Sequence, residues 1–265
     1  MSKTQKELAF LRDLYIDPEW TLRFTDLVDK HIKFSKKEEK LLYINAGTGN
    51  HALALRQTVG KDTEMYATSE NQDILTIARD KAAAVKAKVD FSMTSFKDES
   101  FDAVLADASF VRPDDLPKFL EDAVRVTETG GKVAVFTVTA GSFGEIFSFL
   151  WEIFFNNGLG DHGVAAEKLI TEIPTVWQVE EMALGAGLKD VASETQNEVF
   201  EYKNGAEFVN STLVADFLLP VWLKFLNEKE KEQVRKELTQ LVDEEDGSLS
   251  FRFSVKATLV TGEKA

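Results

Sequence analysis

Between residues 38 and 140 the apolar positions fall into short continuous runs separated by amphipathic stretches. Leu41–Ile44, Glu64–Thr68, Val89–Met93, Phe101–Ala106 and Lys132–Val138 are the runs. Each is too short for a helix and is bounded by glycine, charge or turn residues, so each predicts a buried strand. The stretches starting at Ala52, at Ile74–Val85 and at Leu116–Val126 carry apolar residues at helical spacing, and Gly130-Gly131 predicts a turn. Strands alternating with helices imply βαβ units, and right-handed crossovers put helices on both faces of a parallel sheet.

The flanks read differently. Residues 5–34 predict two helices, with Asp17-Pro18 between them and Pro18 opening the second. Charged residues 36–40 lead into the core. Residues 143–185 are helical in pattern and crowd Phe143, Phe147, Phe149, Trp151, Phe154 and Phe155 together. Val191–Tyr202 predicts a strand, 205–242 an inserted helical segment with Pro220 inside it, and Gly247 opens a last strand at Leu249–Val260.

Composition narrows the function classes. Of 265 residues, 44% are hydrophobic and 29% charged, as in ordinary globular proteins. There is no cysteine, which excludes disulfides, thiolate metal sites and cysteine nucleophiles and fits a cytoplasmic setting. A net charge of −14 argues against nucleic acid as a partner, because phosphate contact needs clustered lysine and arginine. The apolar stretches near 146–155 and 213–226 are interrupted by Glu152, Asp216 and Lys224, so neither predicts a membrane span. Asp243-Glu244-Glu245-Asp246 lacks EF-hand spacing and predicts an exposed turn, and no metal is expected.

Asn45-Ala46-Gly47-Thr48-Gly49 stands between the first strand and the first helix of the core. Glycine there lets backbone approach a ligand, and the helix start offers free N–H groups. With the segments 71–79, Ser100–Asp107, Val124–Val133 and Ala257–Gly262, this loop resembles class I S-adenosylmethionine-dependent methyltransferases, in particular the small-molecule, type 11-like group. The resemblance implies a doubly wound, Rossmann-like, mostly parallel seven-stranded α/β sheet whose last strand is antiparallel. It implies a single domain over 1–265: helices at 1–37, a cofactor-binding core at 38–140, an aromatic-rich helical lid at 141–187, and C-terminal strands at 188–265 with helices inserted at 205–242.

It also implies S-adenosyl-L-methionine as cofactor and a set of residues that hold it. These are Tyr43, Asn45, Ala46, Gly47 and Gly49 in the first motif, Ser69 and Glu70 at the ribose, Thr94 and Ser95 at the adenine, and Asp107 at the end of strand four. Three positions depart from the family pattern: Tyr43 replaces an acid, Asn45 a glycine and Ser69 the ribose acid, whose role is expected to pass to Glu70. Among the three histidines, His162 in Gly160-Asp161-His162-Gly163 is the candidate base; His51 is expected to be structural or cofactor-side, and His31 lies in the N-terminal helix.

Methyl transfer to a small, apolar or aromatic acceptor is the function so implied. A degenerate binding or assembly subunit is the rival, motivated by the three departures. A nicotinamide dehydrogenase is the weaker third, because Ala52 satisfies the relaxed Gly-x-Gly-x-x-Gly/Ala fingerprint. The aromatic helices are expected either to line the acceptor pocket or to pack as core or as a homo-oligomer interface.

Overall fold

The computed structural model describes residues 3–34, 39–246 and 250–265. Part of the charged run at 36–38, and Gly247, lie outside the described residues. The chain divides into two compact units: Met1–Val138 with Thr175–Gln196 and Ala257–Ala265, and Thr139–Pro174 with Asn197–Lys256. Residues 141–174 lie in the second unit and 175–187 in the first.

The first unit opens with helix α1 (Gln5–Leu11), whose Thr4 accepts the Glu7 N–H while Glu7 accepts from the Thr4 backbone. A π-helical segment, Arg12–Thr21, with Pro18 inside it, continues into α2 (Leu22–His31). The break expected at Asp17-Pro18 is therefore absent; the i→i+5 pattern lets the chain pass proline without leaving the helix. Then come β1 (Lys40–Ile44), α3 (Asn50–Thr58), β2 (Glu64–Thr68), α4 (Gln72–Val85), β3 (Asp90–Ser92), β4 (Phe101–Asp107), α5 (Leu116–Val126) and β5 (Thr127–Thr139). Asn71 caps α4 by accepting from Asp73 and Ile74 N–H groups.

The Gly130-Gly131 turn lies inside β5, which pairs with β4 across a register shift between Phe101 and Ala103. A Cβ on Gly131 would stand 2.9 Å from the Asp102 carbonyl oxygen, so the two backbones pass too closely there for a side chain.

In the second unit lie α6 (Gly144–Asn156) and α7 (Gly163–Thr171). Helix α8 (Val176–Gly185) belongs to the first unit, and β6 (Leu188–Tyr202) runs from the first into the second. There follow α9 (Gly205–Asn210), a π-helical turn Leu213–Leu218, α10 (Leu219–Trp222) and α11 (Glu228–Asp246). The last strand, β7 (Phe251–Lys264), returns to the first unit. The seven strands are ordered β3-β2-β1-β4-β5-β7-β6; β1 to β5 pair in parallel and β7 is antiparallel. The acidic run at 243–246 is helical rather than a turn, because Asp243 accepts the Gly205 N–H at 2.7 Å and so anchors the last turns of α11.

Burial explains the layers. Leu42, Val104 and Val135 pack with Leu120 and Ala123 of α5 and with Val179 and Ala183 of α8. In the second unit the aromatic residues form a core. Phe143 and Phe147 meet Trp222 at 5.0 and 5.1 Å between ring centroids, and Phe200 stacks on Phe253 at 4.9 Å. Each buried ring contributes about 1.5–3 kcal/mol by leaving water. Trp151 and Phe155 of α6 point to solvent instead. Among the described residues no helix is long and apolar enough to cross a membrane.

Candidate active site

Strand order reverses between β1 and β4, which is where open α/β sheets hold ligands, beyond the strands' carboxyl ends. Both strands end in chemistry: β1 runs into the glycine loop and β4 ends at Asp107. Asn45 joins them. It adopts φ 55°, its N–H donates to Thr68 Oγ1 at 3.1 Å, and its side-chain amide donates to the Asp107 carbonyl at 3.2 Å. Asparagine tolerates the left-handed region better than other non-glycine residues, so this departure keeps the turn. Gly49 has φ 86°, and a Cβ there would lie 2.8 Å from Phe91 Cζ and 3.1 Å from Ala78 Cβ. Ala46 is buried, its N–H donating to the Thr68 carbonyl at 2.7 Å.

Tyr43 is fully buried beneath this loop, and burial pushes its phenol well above the usual range, with Asp107 adding to the shift. Its hydroxyl meets His51 Nδ1 at 3.1 Å, and His51 Nε2 meets Asp29 of α2 at 3.2 Å. His51 thus ties the loop's helix to the N-terminal helices. His31 lies 3.6 Å from Glu194.

Ser69 donates its hydroxyl to the Gly47 carbonyl at 2.8 Å, which commits it to loop backbone. Glu70 follows beyond the end of β2 and pairs with Arg12 Nη2 at 2.5 Å. Thr68 pairs in register with Ser92, and Thr94 and Ser95 follow beyond the end of β3, both exposed. Asp107 is buried and accepts the Ser109 N–H at 2.8 Å. Burial raises its carboxyl to about 6, against the lowering influence of Arg12 and Ser109. His162 lies in the second unit, 3.9 Å from Glu230 and 5.5 Å from the Phe225 ring centroid.

The largest part of the site missed by sequence reasoning is the N-terminal π-helical segment. Thr48, wholly buried, donates toward Asp13 and Asp17, each at 2.6 Å. Asn50 donates to Asp17 at 2.9 Å, and Lys81 of α4 pairs with Asp13. Burial raises the Asp17 carboxyl, opposed first by the Thr48 bond and then by Arg12. Trp20 donates its indole N–H to Ser109 at 3.0 Å and lies 5.1 Å from Phe110, while the Arg12 guanidinium stands 5.5 Å from the same ring. The signal for these residues was present as buried-type charge next to Pro18, but helical periodicity of 3.6 hides a π-helical face.

A donor-rich arginine, a buried acid and backbone glycines fit a ligand with both charges and hydroxyls. Residues 42–135 match the family model described as a methyltransferase domain. The chain is 24% identical over 167 residues to demethylmenaquinone methyltransferase of Shouchella clausii (strain KSM-K16), covering 57% of this chain and 70% of that protein. Its fold is similar to that of YcgJ from Bacillus subtilis, with TM-score 0.59 and 16% identity over 92% of this chain and 98% of that one. It is also similar to Haemonchus contortus phosphoethanolamine N-methyltransferase 2, with TM-score 0.55 and 14% identity. There the match spans 98% of this chain but 58% of the other, which was solved with phosphomonomethylethanolamine and S-adenosylhomocysteine. The nicotinamide alternative gives way to these matches, which support a class I S-adenosylmethionine-dependent methyltransferase.

Proposed function

We propose that this protein transfers a methyl group from S-adenosylmethionine to a small apolar or aromatic acceptor at the ends of β1 and β4. The reading of a degenerate assembly subunit is not favoured. The observation that supports the acceptor class is the wall that half-buried Phe110 forms beside Asp107, backed at 5.1 Å by the fully buried Trp20, which Ser109 ties to the strand end. Such a wall gives an apolar acceptor flat contacts and excludes water. A relative named for demethylmenaquinone, a quinone, is consistent with that class.

The residues present fit the cofactor. Gly47 and Gly49 occupy left-handed backbone where side chains are strained, and Arg12 and Asp17 stand against Gly47 as Phe91 and Ala78 stand against Gly49. Glu70, past the pleated part of β2, is assigned the ribose hydroxyls in place of Ser69, whose hydroxyl holds the loop from behind. Thr94 and Ser95 are assigned the adenine edge. Tyr43, Asn45 and Ala46 shape the loop rather than contact the ligand by charge.

S-adenosylmethionine supplies an electrophilic methyl that an acceptor atom displaces in line. The chain's contribution is alignment, dryness and, for an acceptor that loses a proton, a base. We assign that proton to Asp107, rather than to the expected His162. Asp107 is buried at a ligand-bearing strand end, and a carboxyl near 6 is both free at neutral pH and basic enough to accept.

The test is transfer from methyl-labelled S-adenosylmethionine to a panel of demethylated quinones and hydrophobic phenols, with phosphoethanolamine as the polar comparison. Label in the organic phase supports the proposal. Label found on phosphoethanolamine alone overturns the acceptor class.

A further inference from the structure

We infer that the chain carries a second small-molecule site, at the amino ends of β2 and β3, which takes an organic polyphosphate: two or three linked phosphoryl groups on an apolar or aromatic body. The site is independent of the cofactor assigned above, whose loop follows the carboxyl end of β1.

A cavity of about 410 Å³ opens between the end of α3, the turn before β2 and the turn after α4. Sites for small molecules run to roughly 300–1,000 Å³. Arg56, Lys61, Lys86 and Lys88 line this one, and no lining residue is acidic. That runs against the chain as a whole, where 45 acidic residues face 31 lysines and arginines. Other surface cations pair with acids, as Lys168 does with Glu172, Lys189 with Glu263 and Lys231 with Glu228. Among the described residues the four at the cavity have no such partner.

The frame around these charges is fixed by backbone. Arg56 donates to the Thr63 carbonyl at 3.0 Å and to the Gly60 carbonyl at 2.7 Å, which folds the turn bearing Lys61 around the guanidinium and leaves its charge unneutralised. Lys86 closes α4 at φ 54°, a left-handed position where glycine is usual. Its N–H donates to the Ala83 carbonyl at 3.2 Å, and that of Ala87 to the Ala82 carbonyl at 2.9 Å. Backbone thus serves these carbonyls of the helix end, and the ammonium groups of Lys86 and Lys88 are not needed for them. Four like charges around one concave space repel one another, and a multivalent anion relieves that repulsion where a single carboxylate leaves most of it. Flexible lysine stems suit a chain of phosphoryl groups, whose oxygens spread the charge. Leu53 and Val85, the latter 65% exposed, give the cavity an apolar side that a bare inorganic ion leaves wet. The ligand therefore carries an organic body.

The experiment is titration calorimetry of the full chain, in magnesium-free buffer at low and high salt, with inorganic triphosphate and with uridine triphosphate. Both are expected to bind at one site and to weaken as salt rises, with uridine triphosphate tighter by about threefold or more. The double variant Lys86→Gln, Lys88→Gln is expected to weaken both ligands by about tenfold or more. Lys118→Gln, which changes an exposed lysine of α5, is expected to shift them by less than about twofold. Should the double variant fail to fold by circular dichroism, Lys61→Gln takes its place, with a loss of about threefold expected. Binding of neither triphosphate overturns the site, as does equal weakening by Lys118→Gln, which assigns the attraction to diffuse charge. A double variant that melts earlier yet binds as the parent does assigns the lysines to the helix end and overturns it too. Equal affinity for the two triphosphates overturns the organic body. Displacement of uridine triphosphate by S-adenosylhomocysteine places it at the cofactor loop and overturns the second site.

Discussion

Arg12 and Glu70 are joined by an ion pair of 2.5 Å, one from the N-terminal π-helical segment and the other from the turn after the second strand. Arg12 is nearly inaccessible and Glu70 is about a quarter exposed, so the pair sits at the rim of the site. This contact places the N-terminal helices beside the proposed cofactor site.

Glu70→Gln is expected to lower S-adenosylhomocysteine affinity by about ten- to a hundredfold. The change removes the equivalent of one charge-assisted bond of roughly 1.5–3 kcal/mol. Calorimetry measures it, and unchanged affinity would remove Glu70 from the ribose. Ser69→Ala, by contrast, is expected to cost stability through the lost bond to the Gly47 carbonyl.

Asp107 gives a pH dependence of defined sign. Its carboxyl lies at about 6 in the folded chain against an ordinary 3.8, so the folded state holds that proton more tightly. Stability from this group is full below pH 3.8 and is lost as pH rises through about 6, on the order of 3 kcal/mol in all. Asp107→Asn cannot ionise. The variant is expected to be more stable than the parent at pH 8, with the gap closing toward pH 4, as read by urea midpoints. A gap independent of pH contradicts this. Methyl transfer to a proton-losing acceptor is expected to rise with pH through about 6 in the parent and to be largely lost in the variant.

Thr48→Val removes the hydroxyl shared between Asp13 and Asp17 while keeping the volume. Bonds to charged groups are worth about 1.5–3 kcal/mol, so a destabilisation of roughly that size is expected from thermal melts. Thr48→Ser keeps the hydroxyl and is expected to stay near the parent. Equal losses in both variants would assign the effect to the methyl group.

Gly49→Ala places a Cβ 2.8 Å from Phe91 Cζ at a φ of 86°. Backbone strain and overpacking each cost on the order of 1–3 kcal/mol, so a loss of about 2–6 kcal/mol is expected in denaturant unfolding. A melt within one degree of the parent would show that Phe91 gives way freely.

The chain's own pattern determined the sheet and the glycine loop. β1, β2, β4 and α5 fall where the apolar runs put them, because burial on both faces of a parallel strand, and along one stripe of a helix, writes itself into nearby residues. The loop from Asn45 to Gly49 was legible for the same reason, its backbone need being local. The tertiary structure alone decided that Gly130-Gly131 lies within β5, that the aromatic residues of the second unit pack against one another, that Trp20 reaches Ser109, and that Arg12 and Asp17 face the glycine loop. Those relationships join residues far apart in the chain, and the last depends on a π-helical turn whose spacing no 3.6-residue pattern displays.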